Sequence, residues 1–151
     1  VGADRIVNGV AAWDGFRGPC VVVDLGTAIT FDVISAKAEY LGGIIAPGIG
    51  IAIAGLFSKT ARLPMVDFRE PARLIGRTTV ESIQAGLYYG FTGLIDGILE
   101  RMMAELGPQT QIIGTGGQAH LIAKGSRFVQ EIDEDITLRG LRLIWHRVRT
   151  I

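Results

Sequence analysis

The chain has 151 residues, equal numbers of acidic and basic side chains, and a hydrophobic content of 48%. A chain of this length can bury a sizeable core as one domain, and its zero formal net charge disfavours nonspecific binding to nucleic acid. The single cysteine, Cys20, excludes an internal disulfide and, without a His/Cys cluster, a structural zinc site, which fits a cytoplasmic protein. The longest apolar run, 44–57, is too short to span a bilayer, so no membrane association is expected.

The N-terminal stretch places an acidic residue next to a basic one. The first residue is Val1 rather than Met, which predicts that the chain is a fragment of a longer protein. The polar sequence Gly-Ala-Asp-Arg at 2–5 leads into an apolar-rich segment, 6–13, whose spacing predicts a helix. Asp4 beside Arg5 fits a general base next to a carboxylate clamp. The alternative is an N-cap Asp followed by a solvated Arg.

The chemistry is predicted to lie in residues 20–32, Cys-Val-Val-Val-Asp-Leu-Gly-Thr-Ala-Ile-Thr-Phe-Asp. The first four of these residues are typical of a strand that is buried on both faces, and Asp24 would end that strand. Gly26 predicts a tight reversal with positive φ, after which 27–34 forms a second strand.

This predicted hairpin would present one carboxylate and two hydroxyls, those of Asp24, Thr27 and Thr30, around a single turn. Turn amides point their N–H groups at anions, and a carboxylate holds a metal or its water ligands. The turn is therefore a candidate site for a phosphate and its cation. Because Asp-x-Gly is also ordinary turn chemistry, the alternative is that Asp24 only caps the hairpin.

A third strand is predicted over 40–46, and its short connection to the second makes an antiparallel meander. The pair Gly42-Gly43 within it suggests the close approach of a ligand or another backbone. Pro47-Gly48 ends this strand, a small-residue helix is predicted over 49–60, and 61–77 is irregular.

The longest predicted element is an amphipathic helix over 79–106, where apolar residues recur at helical spacing. Thr78 and Glu81 are predicted to form a capping box at its start. Small residues on one side of this helix would each weaken it by about 1 kcal/mol relative to Ala; they are Gly86, Gly90, Gly93 and Gly97. They fit either a tight contact within the chain or a subunit interface.

A second glycine-rich turn, Gly-Thr-Gly-Gly at 114–117, follows a short predicted strand at 111–113 and precedes a predicted helix over 118–124. A strand, a turn and a helix N-terminus in this order place backbone donors and a positive dipole end at one spot, which suits a nucleotide. The last predicted helix, 137–149, has an arginine-rich polar side and an apolar side, the latter formed by Leu138, Leu141, Ile144, Trp145 and Val148.

This order of elements suits an α/β fold, the ribonuclease-H-like lobe of the actin-like ATPase and sugar-kinase superfamily, in which a three-stranded antiparallel meander is followed by helices and a further strand. The residues also resemble the type III pantothenate kinases along nearly the whole chain. The matching stretches are Gly-Ala-Asp-Arg at 2–5, Asp-Leu-Gly-Thr-Ala-Ile-Thr-Phe-Asp at 24–32, Tyr-Leu-Gly-Gly-Ile-Ile-Ala-Pro-Gly at 40–48, Gly-Arg-Thr-Thr-Val-Glu-Ser-Ile-Gln-Ala-Gly at 76–86, Thr-Gly-Gly at 115–117 and Leu-Arg-Gly-Leu at 138–141.

The resemblance implies ATP-dependent phosphorylation of pantothenate to 4′-phosphopantothenate, the first step of coenzyme A biosynthesis. By the matching motif, Asp4 is the general base for the substrate hydroxyl and Arg5 a partner for the substrate carboxylate, with Gly2 and Ala3 in the same substrate-binding motif. In this family a Thr of the neighbouring subunit reaches pantothenate. Thr79 occupies the matching place, which favours a homodimer through the long helix.

The resemblance also implies a nucleotide site. Asp24 matches an acidic residue associated with cation and phosphate, and the expected ions are Mg²⁺ and a monovalent cation, K⁺ or NH₄⁺. Two positions depart from the usual family pattern, because Ile29 stands in place of Thr and Thr78 in place of Asn. The residues expected to bind ATP and its phosphates are Gly26, Thr27, Thr30, Gly116 and Gly117.

The resemblance implies a division of the chain into 1–18, the end of an N-terminal lobe with the substrate motif, and 19–151, the C-terminal ribonuclease-H-like lobe. The rest of the N-terminal lobe, with its Asp-x-Gly-Asn-Thr phosphate turn, is expected to be missing, and the chain alone is expected to be inactive. Two other functions stay open: a non-catalytic transcription accessory factor on the same scaffold, and the nucleotide lobe of a sugar or acetate kinase. The motif at 2–5 favours a substrate that carries a carboxylate.

Overall fold

The computed structural model describes residues 2–60 and 62–150, which form a mixed α/β fold around a five-stranded sheet. The strands are β1 Cys20–Leu25, β2 Ala28–Ile34, β3 Tyr40–Pro47, β4 Gln111–Thr115 and β5 Glu131–Ile132. The helices are α1 Ala3–Phe16, α2 Ile49–Lys59, α3 Thr79–Leu106, α4 Ala119–Gly125 and α5 Ile136–Arg149. No helix in these two ranges is long and apolar enough to cross a membrane.

The sheet has the order β3-β2-β1-β4-β5, so the central strand β1 has a partner on each side. The strand β2 runs antiparallel to both β1 and β3, whereas β4 runs parallel to β1 and to β5. Asp24 near the end of β1 lies in register with Thr30 of β2 and with Thr115 of β4. Because parallel strands end at the same edge of a sheet, the turns that follow β1 and β4 lie side by side.

Alternating residues of β1 pack in two separate cores, because successive side chains of a strand point to opposite faces of the sheet. Val21, Val23 and Leu25 belong to the larger core, which also contains five buried apolar residues of α3, whereas Cys20 and Val22 belong to a smaller core with residues of α1 and α5. By the same alternation, Asp24 lies on the α1 face of the sheet. Burial in this core raises the pKa of the Cys20 thiol to about 12.

The long helix has its predicted bounds, since α3 is Thr79–Leu106. Its capping box is only half formed. The Thr78 hydroxyl accepts a hydrogen bond from the Glu81 N–H at 3.1 Å, but the Glu81 carboxylate accepts from the Arg77 N–H at 2.7 Å instead of reaching Thr78. A Cβ added at any of Gly86, Gly90 or Gly93 would meet nothing within 4 Å. The prediction of a tight contact within the chain is therefore wrong for these glycines, which face open space.

Several boundaries differ from the sequence predictions for identifiable reasons. Helix α1 begins at Ala3 rather than at residue 6, with Gly2 as its N-cap, so the interpretation of Asp4 as an N-cap is wrong. Asp24 does not end β1, because its ladder pairs continue the strand to Leu25. The prediction of a positive φ at Gly26 is also wrong: the tight turn closes through a hydrogen bond from the Gly26 N–H to the Ala28 carbonyl at 3.2 Å without that conformation.

The terminal helix α5 does not bury the apolar side that its sequence pattern indicates. Leu138 is 68% exposed and Trp145 is 58% exposed. The helix packs instead through Ile136 and Gly140, which are both buried. The periodicity of the sequence groups the apolar residues of α5 on one side but does not determine whether that side is buried. The short strand β5 was not predicted, because two residues carry too little pattern.

Helices α1 and α5 approach each other closely at a glycine. A Cβ added at Gly140 would overlap the Val7 carbonyl oxygen and lie 2.7 Å from the Val7 side chain. A hydrogen bond of 2.7 Å from the Thr137 hydroxyl to the Asn8 side-chain oxygen joins the same two helices. Since α1 carries Asp4 and Arg5, this contact also positions the substrate motif predicted at its N-terminus.

We expect Gly140→Ala to lower the free energy of unfolding by about 1–3 kcal/mol, because the added methyl group pushes α5 away from α1. Denaturant unfolding followed by circular dichroism measures the change. The control is Gly15→Ala, at a helical glycine with nothing within 4 Å, which should be neutral or slightly stabilising. Equal stability of the two variants would contradict the close packing of α1 on α5.

Candidate active site

Two of the predicted binding turns meet at the edge where β1 and β4 end. Gly116 has a φ of +97°, which favours glycine. A Cβ at this position would lie 2.6 Å from the Leu25 carbonyl oxygen, so the turn after β4 rests against the end of β1. The predicted phosphate residues Gly26 and Thr27 and the predicted nucleotide residues Gly116 and Gly117 are therefore neighbours.

The N-terminus of α1 brings Asp4 to the same edge. Asp4 lies in the first turn of α1, where it is exposed and close enough to Asp24 to influence its ionisation. A Cβ on Gly2 would come within 2.7 Å of an Asp4 carboxylate oxygen, so a larger residue at position 2 would crowd this carboxylate. The Asp4 and Asp24 carboxylates therefore lie near enough for the charge of Asp4 to disfavour that of Asp24.

The Asp24 carboxylate lies in an environment that disfavours its charge. Its pKa is raised above the ordinary value, first by burial and then by the negative charges of Asp4 and Asp32. A bound cation would offset the negative charges of these carboxylates, so the residues fit a cation site. Residues 2–60 and 62–150 contain no group of three or more His, Cys, Asp or Glu side chains that would hold a metal ion. Asp24 would therefore supply one ligand, and water or a bound anion the others.

Arg5 is held by a buried carboxylate. Its Nε and Nη2 groups lie 2.7 and 2.6 Å from the Asp32 Oδ1 atom, and the side chains of Arg5 and Asp32 are 16% and 1% exposed. The Tyr40 hydroxyl donates to the same oxygen at 2.7 Å. The hydrogen bond to Asp32 is the main cause that raises the pKa of Arg5, so the guanidinium stays charged. The alternative of a solvated Arg5 is wrong.

Asp32 and Tyr40 were not among the predicted site residues. The signal for Asp32 is its position, because a charged residue within the apolar stretch Phe31-Asp32-Val33-Ile34 requires a partner when that strand is buried. Tyr40 gave no such signal. Its contact with Asp32 depends on an irregularity of β3 that the sequence pattern does not reveal.

The structure does not bring Thr79 to this site within one chain. Thr79 begins α3, which packs on the face of the sheet opposite to α1. It lines a separate groove of about 690 Å³ between α2, the segment before α3 and the first turns of α3.

The family model for type III pantothenate kinases matches residues 1–101. The chain belongs to this family. The type III pantothenate kinase of Solibacter usitatus is 65% identical over 147 residues, which cover 97% of this chain and 56% of that protein. The corresponding protein of Koribacter versatilis is 56% identical over 147 residues, or 97% of this chain and 54% of the relative. The chain thus spans about half the length of these type III pantothenate kinases.

Two solved structures share the fold. A Baf family protein of Campylobacter jejuni, described as a transcriptional activator, is 24% identical with a TM-score of 0.64, and the match covers 96% of this chain and 65% of that one. The ethanolamine utilization protein EutJ of Carboxydothermus hydrogenoformans is 18% identical with a TM-score of 0.56 over 92% of this chain and 53% of that one. At these identities the likeness concerns the fold alone.

We expect Asp24→Asn to be more stable than the unsubstituted chain at neutral pH. A carboxyl group with a raised folded-state pKa loses its proton first in the unfolded chain, so the free energy of unfolding falls as the pH rises from the ordinary value of 3.8 through the raised value. Asparagine removes this loss. Urea unfolding at a series of pH values, without added divalent cations, measures the difference, which should vanish in acid.

The control for this prediction is Asp14→Asn, which removes a carboxylate that is paired with Arg17 and should therefore not stabilise the chain at neutral pH. A destabilised Asp24→Asn variant at neutral pH would contradict the unfavourable charge at this edge.

Proposed function

We propose that this chain forms the C-terminal, ribonuclease-H-like lobe of a cytoplasmic kinase that phosphorylates pantothenate with ATP to give 4′-phosphopantothenate, the first step of coenzyme A biosynthesis. The observation that carries the proposal is the convergence of Asp4, Asp24 and two glycine-containing turns at one sheet edge, in a chain of this family. A kinase needs a proton acceptor, a cation and a phosphate cradle at one place, and this edge can supply all three.

On the substrate side, Asp4 takes the proton from the pantothenate hydroxyl as that oxygen attacks the phosphoryl group. Asp4 suits this role because it is exposed at the start of α1 and therefore accessible to a substrate. Arg5 binds the pantothenate carboxylate, and Gly2 and Ala3 line the same substrate subsite at the helix N-terminus. The ion pair with Asp32 holds the Arg5 side chain in place.

On the nucleotide side, the turn residues Gly26, Thr27, Gly116 and Gly117 contribute backbone and hydroxyl donors to ATP and its phosphates, with Thr30 alongside Asp24. Asp24 holds a cation, Mg²⁺ or the monovalent K⁺ or NH₄⁺. When bound, these ions neutralise the charge of the nucleotide phosphates. The raised pKa of Asp24, which burial and two neighbouring carboxylates cause, supports a cation at this position.

We assign residues 1–18 to the end of an N-terminal lobe that supplies the first phosphate turn, and 19–151 to the C-terminal lobe. Helix α1 packs on α5 and on the smaller core, so the C-terminal lobe fixes the position of the substrate motif. The chain spans about half the length of its relatives, and the proposal therefore expects the isolated chain to be inactive.

The active protein is proposed to be a homodimer through α3, in which Thr79 of one subunit reaches the pantothenate of the other. Two observations support this arrangement. Thr79 lies on the opposite side of the sheet from Asp4 within one chain, so it would serve a different site. Three glycines of α3, Gly86, Gly90 and Gly93, also face open space, where a second helix has room to approach closely.

We expect Gly93→Leu to weaken this dimer, because the larger side chain separates the two helices. Leucine favours the helix itself by about 1 kcal/mol relative to glycine, so a loss of dimer would not arise from helix unfolding. Sedimentation equilibrium measures the dissociation constant. The matched control, Gly15→Leu, changes a helical glycine of α1 that also meets nothing within 4 Å and should leave the dimer intact. An unchanged dissociation constant for Gly93→Leu would contradict the interface.

The test of the kinase is pantothenate-dependent release of ADP from ATP with Mg²⁺ and K⁺. It compares this chain with the same chain extended at its N-terminus by the corresponding segment of the Solibacter usitatus relative. We expect activity only in the extended protein, and a loss of about 10²–10⁴-fold in kcat for Asp4→Asn. Asp14→Asn, on the same helix, should retain activity.

The other outcomes separate the remaining functions. Nucleotide binding without phosphoryl transfer in either protein would contradict the kinase and favour a non-catalytic accessory factor. Transfer to a sugar or to acetate, but not to pantothenate, would instead identify the lobe of another kinase of the same superfamily.

A further inference from the structure

We propose that Asp32 and Tyr40 are positioning residues that hold Arg5 with its unused N–H groups turned towards the carboxylate of the substrate. This inference rests on the proposed function and deepens it, because it names what makes the substrate subsite selective for an anion. Neither residue belongs to the predicted substrate motif at 2–5, and neither is expected to touch the reacting atoms.

The Arg5 guanidinium can bind two carboxylates, one on each of two edges. Arginine has five N–H donors in a fixed planar fork. The Arg5 Nε–H donates to the Asp32 Oδ1 atom and Nη2 lies 2.6 Å from the same oxygen, so Asp32 occupies one edge of the fork. Nη1 and the second hydrogen of Nη2 point away from that edge and match the bidentate geometry of a second carboxylate. A held arginine can therefore bind Asp32 and a substrate carboxylate at the same time.

The carboxylate that holds Arg5 is buried. The Asp32 side chain is 1% exposed, and its Oδ1 atom accepts hydrogen bonds from the Arg5 Nε–H and the Tyr40 hydroxyl and forms an ion pair with Arg5 Nη2. A buried carboxylate without a partner is strongly unfavourable, so Asp32 restricts Arg5 to few orientations. The Asp14–Arg17 pair on the other end of α1 differs in this respect, because the Arg17 side chain is 62% exposed and free to exchange with water.

An irregularity in β3 determines which face of the sheet Tyr40 occupies. Asp32 lies opposite Gly43, but Ile34 lies opposite Tyr40, so Leu41 is an extra residue in β3. Without this bulge Tyr40 would lie opposite Ser35, on the other face of the sheet. The bulge moves Tyr40 to the face of Asp32, where its hydroxyl completes the hydrogen bonds of the carboxylate.

Two glycines make this arrangement possible. Gly42, within the bulge, has a φ of +117°, a conformation that other residues rarely adopt. A Cβ at Gly43 would overlap the Phe31 carbonyl oxygen and lie 3.0 Å from the Arg5 Nη2 atom, so glycine leaves room for the guanidinium. The Gly42-Gly43 pair thus admits a side chain of the same chain, in addition to the approach of a neighbouring backbone.

The test compares pantothenate with pantothenol, its neutral analogue in which the carboxylate is replaced by an alcohol. Kinetics are measured in the extended protein for the unsubstituted form, Asp32→Asn, Tyr40→Phe and the control Asp14→Asn. We expect Asp32→Asn to raise the KM for pantothenate about 10-fold or more, which corresponds to about 1.4 kcal/mol. Its kcat, its KM for ATP and its KM for pantothenol should change little. Tyr40→Phe should show the same selective effect with a smaller magnitude.

A second readout uses this chain without any activity. The Arg5 Nε–H group, bonded to a buried carboxylate, should give a slowly exchanging side-chain signal in ¹⁵N NMR spectra. The signal should disappear in Asp32→Asn and persist in Asp14→Asn. If Asp32→Asn does not fold, Tyr40→Phe, which retains the ion pair, carries the kinetic test.

The outcomes distinguish this inference from the proposed function. No pantothenate-dependent ADP release in the unsubstituted extended protein overturns the proposed function and this assignment with it. Activity that falls equally for pantothenate and pantothenol in Asp32→Asn and Tyr40→Phe overturns only this inference, because the two residues would then be merely structural. A selective loss for the carboxylate substrate supports it.

Discussion

The register of β1 is the constraint on which the candidate site depends. This strand has partners on both edges, and Val21, Val22 and Val23 are fully buried between two helical layers. A slip of one residue would exchange its two faces and place Asp24 among the apolar residues that pack on α3. The same packing that stabilises the sheet therefore fixes the Asp24 carboxylate beside Thr30 and Thr115. Fold and site share one set of contacts.

Much of the fold was predictable because its elements are local patterns. The bounds of α3 follow from regular apolar spacing and a Thr at its start, and β1 follows from a short apolar run. The terminal helix α5 shows where this approach stops. Its periodicity marks an apolar side, but only the three-dimensional packing determines that Gly140 contacts α1 while Trp145 stays exposed. The tight turn at Gly26 is a similar case, because glycine permits a positive φ but the turn forms without one.

The candidate site was predictable where its residues lie in short motifs. Asp4, Arg5 and Asp24 stand in such stretches, and the structure places them near one edge of the sheet. The partner of Arg5 was not predicted, because Asp32 lies 27 positions away in the chain and reaches it only through the sheet. Tyr40 was harder still, since one extra residue in β3 determines which face its side chain occupies.

The buried thiol of Cys20 has a practical consequence. It lies at the start of the central strand with no exposed surface, and a thiol whose pKa is raised to about 12 has almost no reactive thiolate at neutral pH. Alkylating reagents can therefore modify it only when the centre of the sheet opens. Because it is the single cysteine of the chain, the rate at which it is alkylated reports how often the centre of the sheet opens. Mass spectrometry measures this rate without any engineered probe.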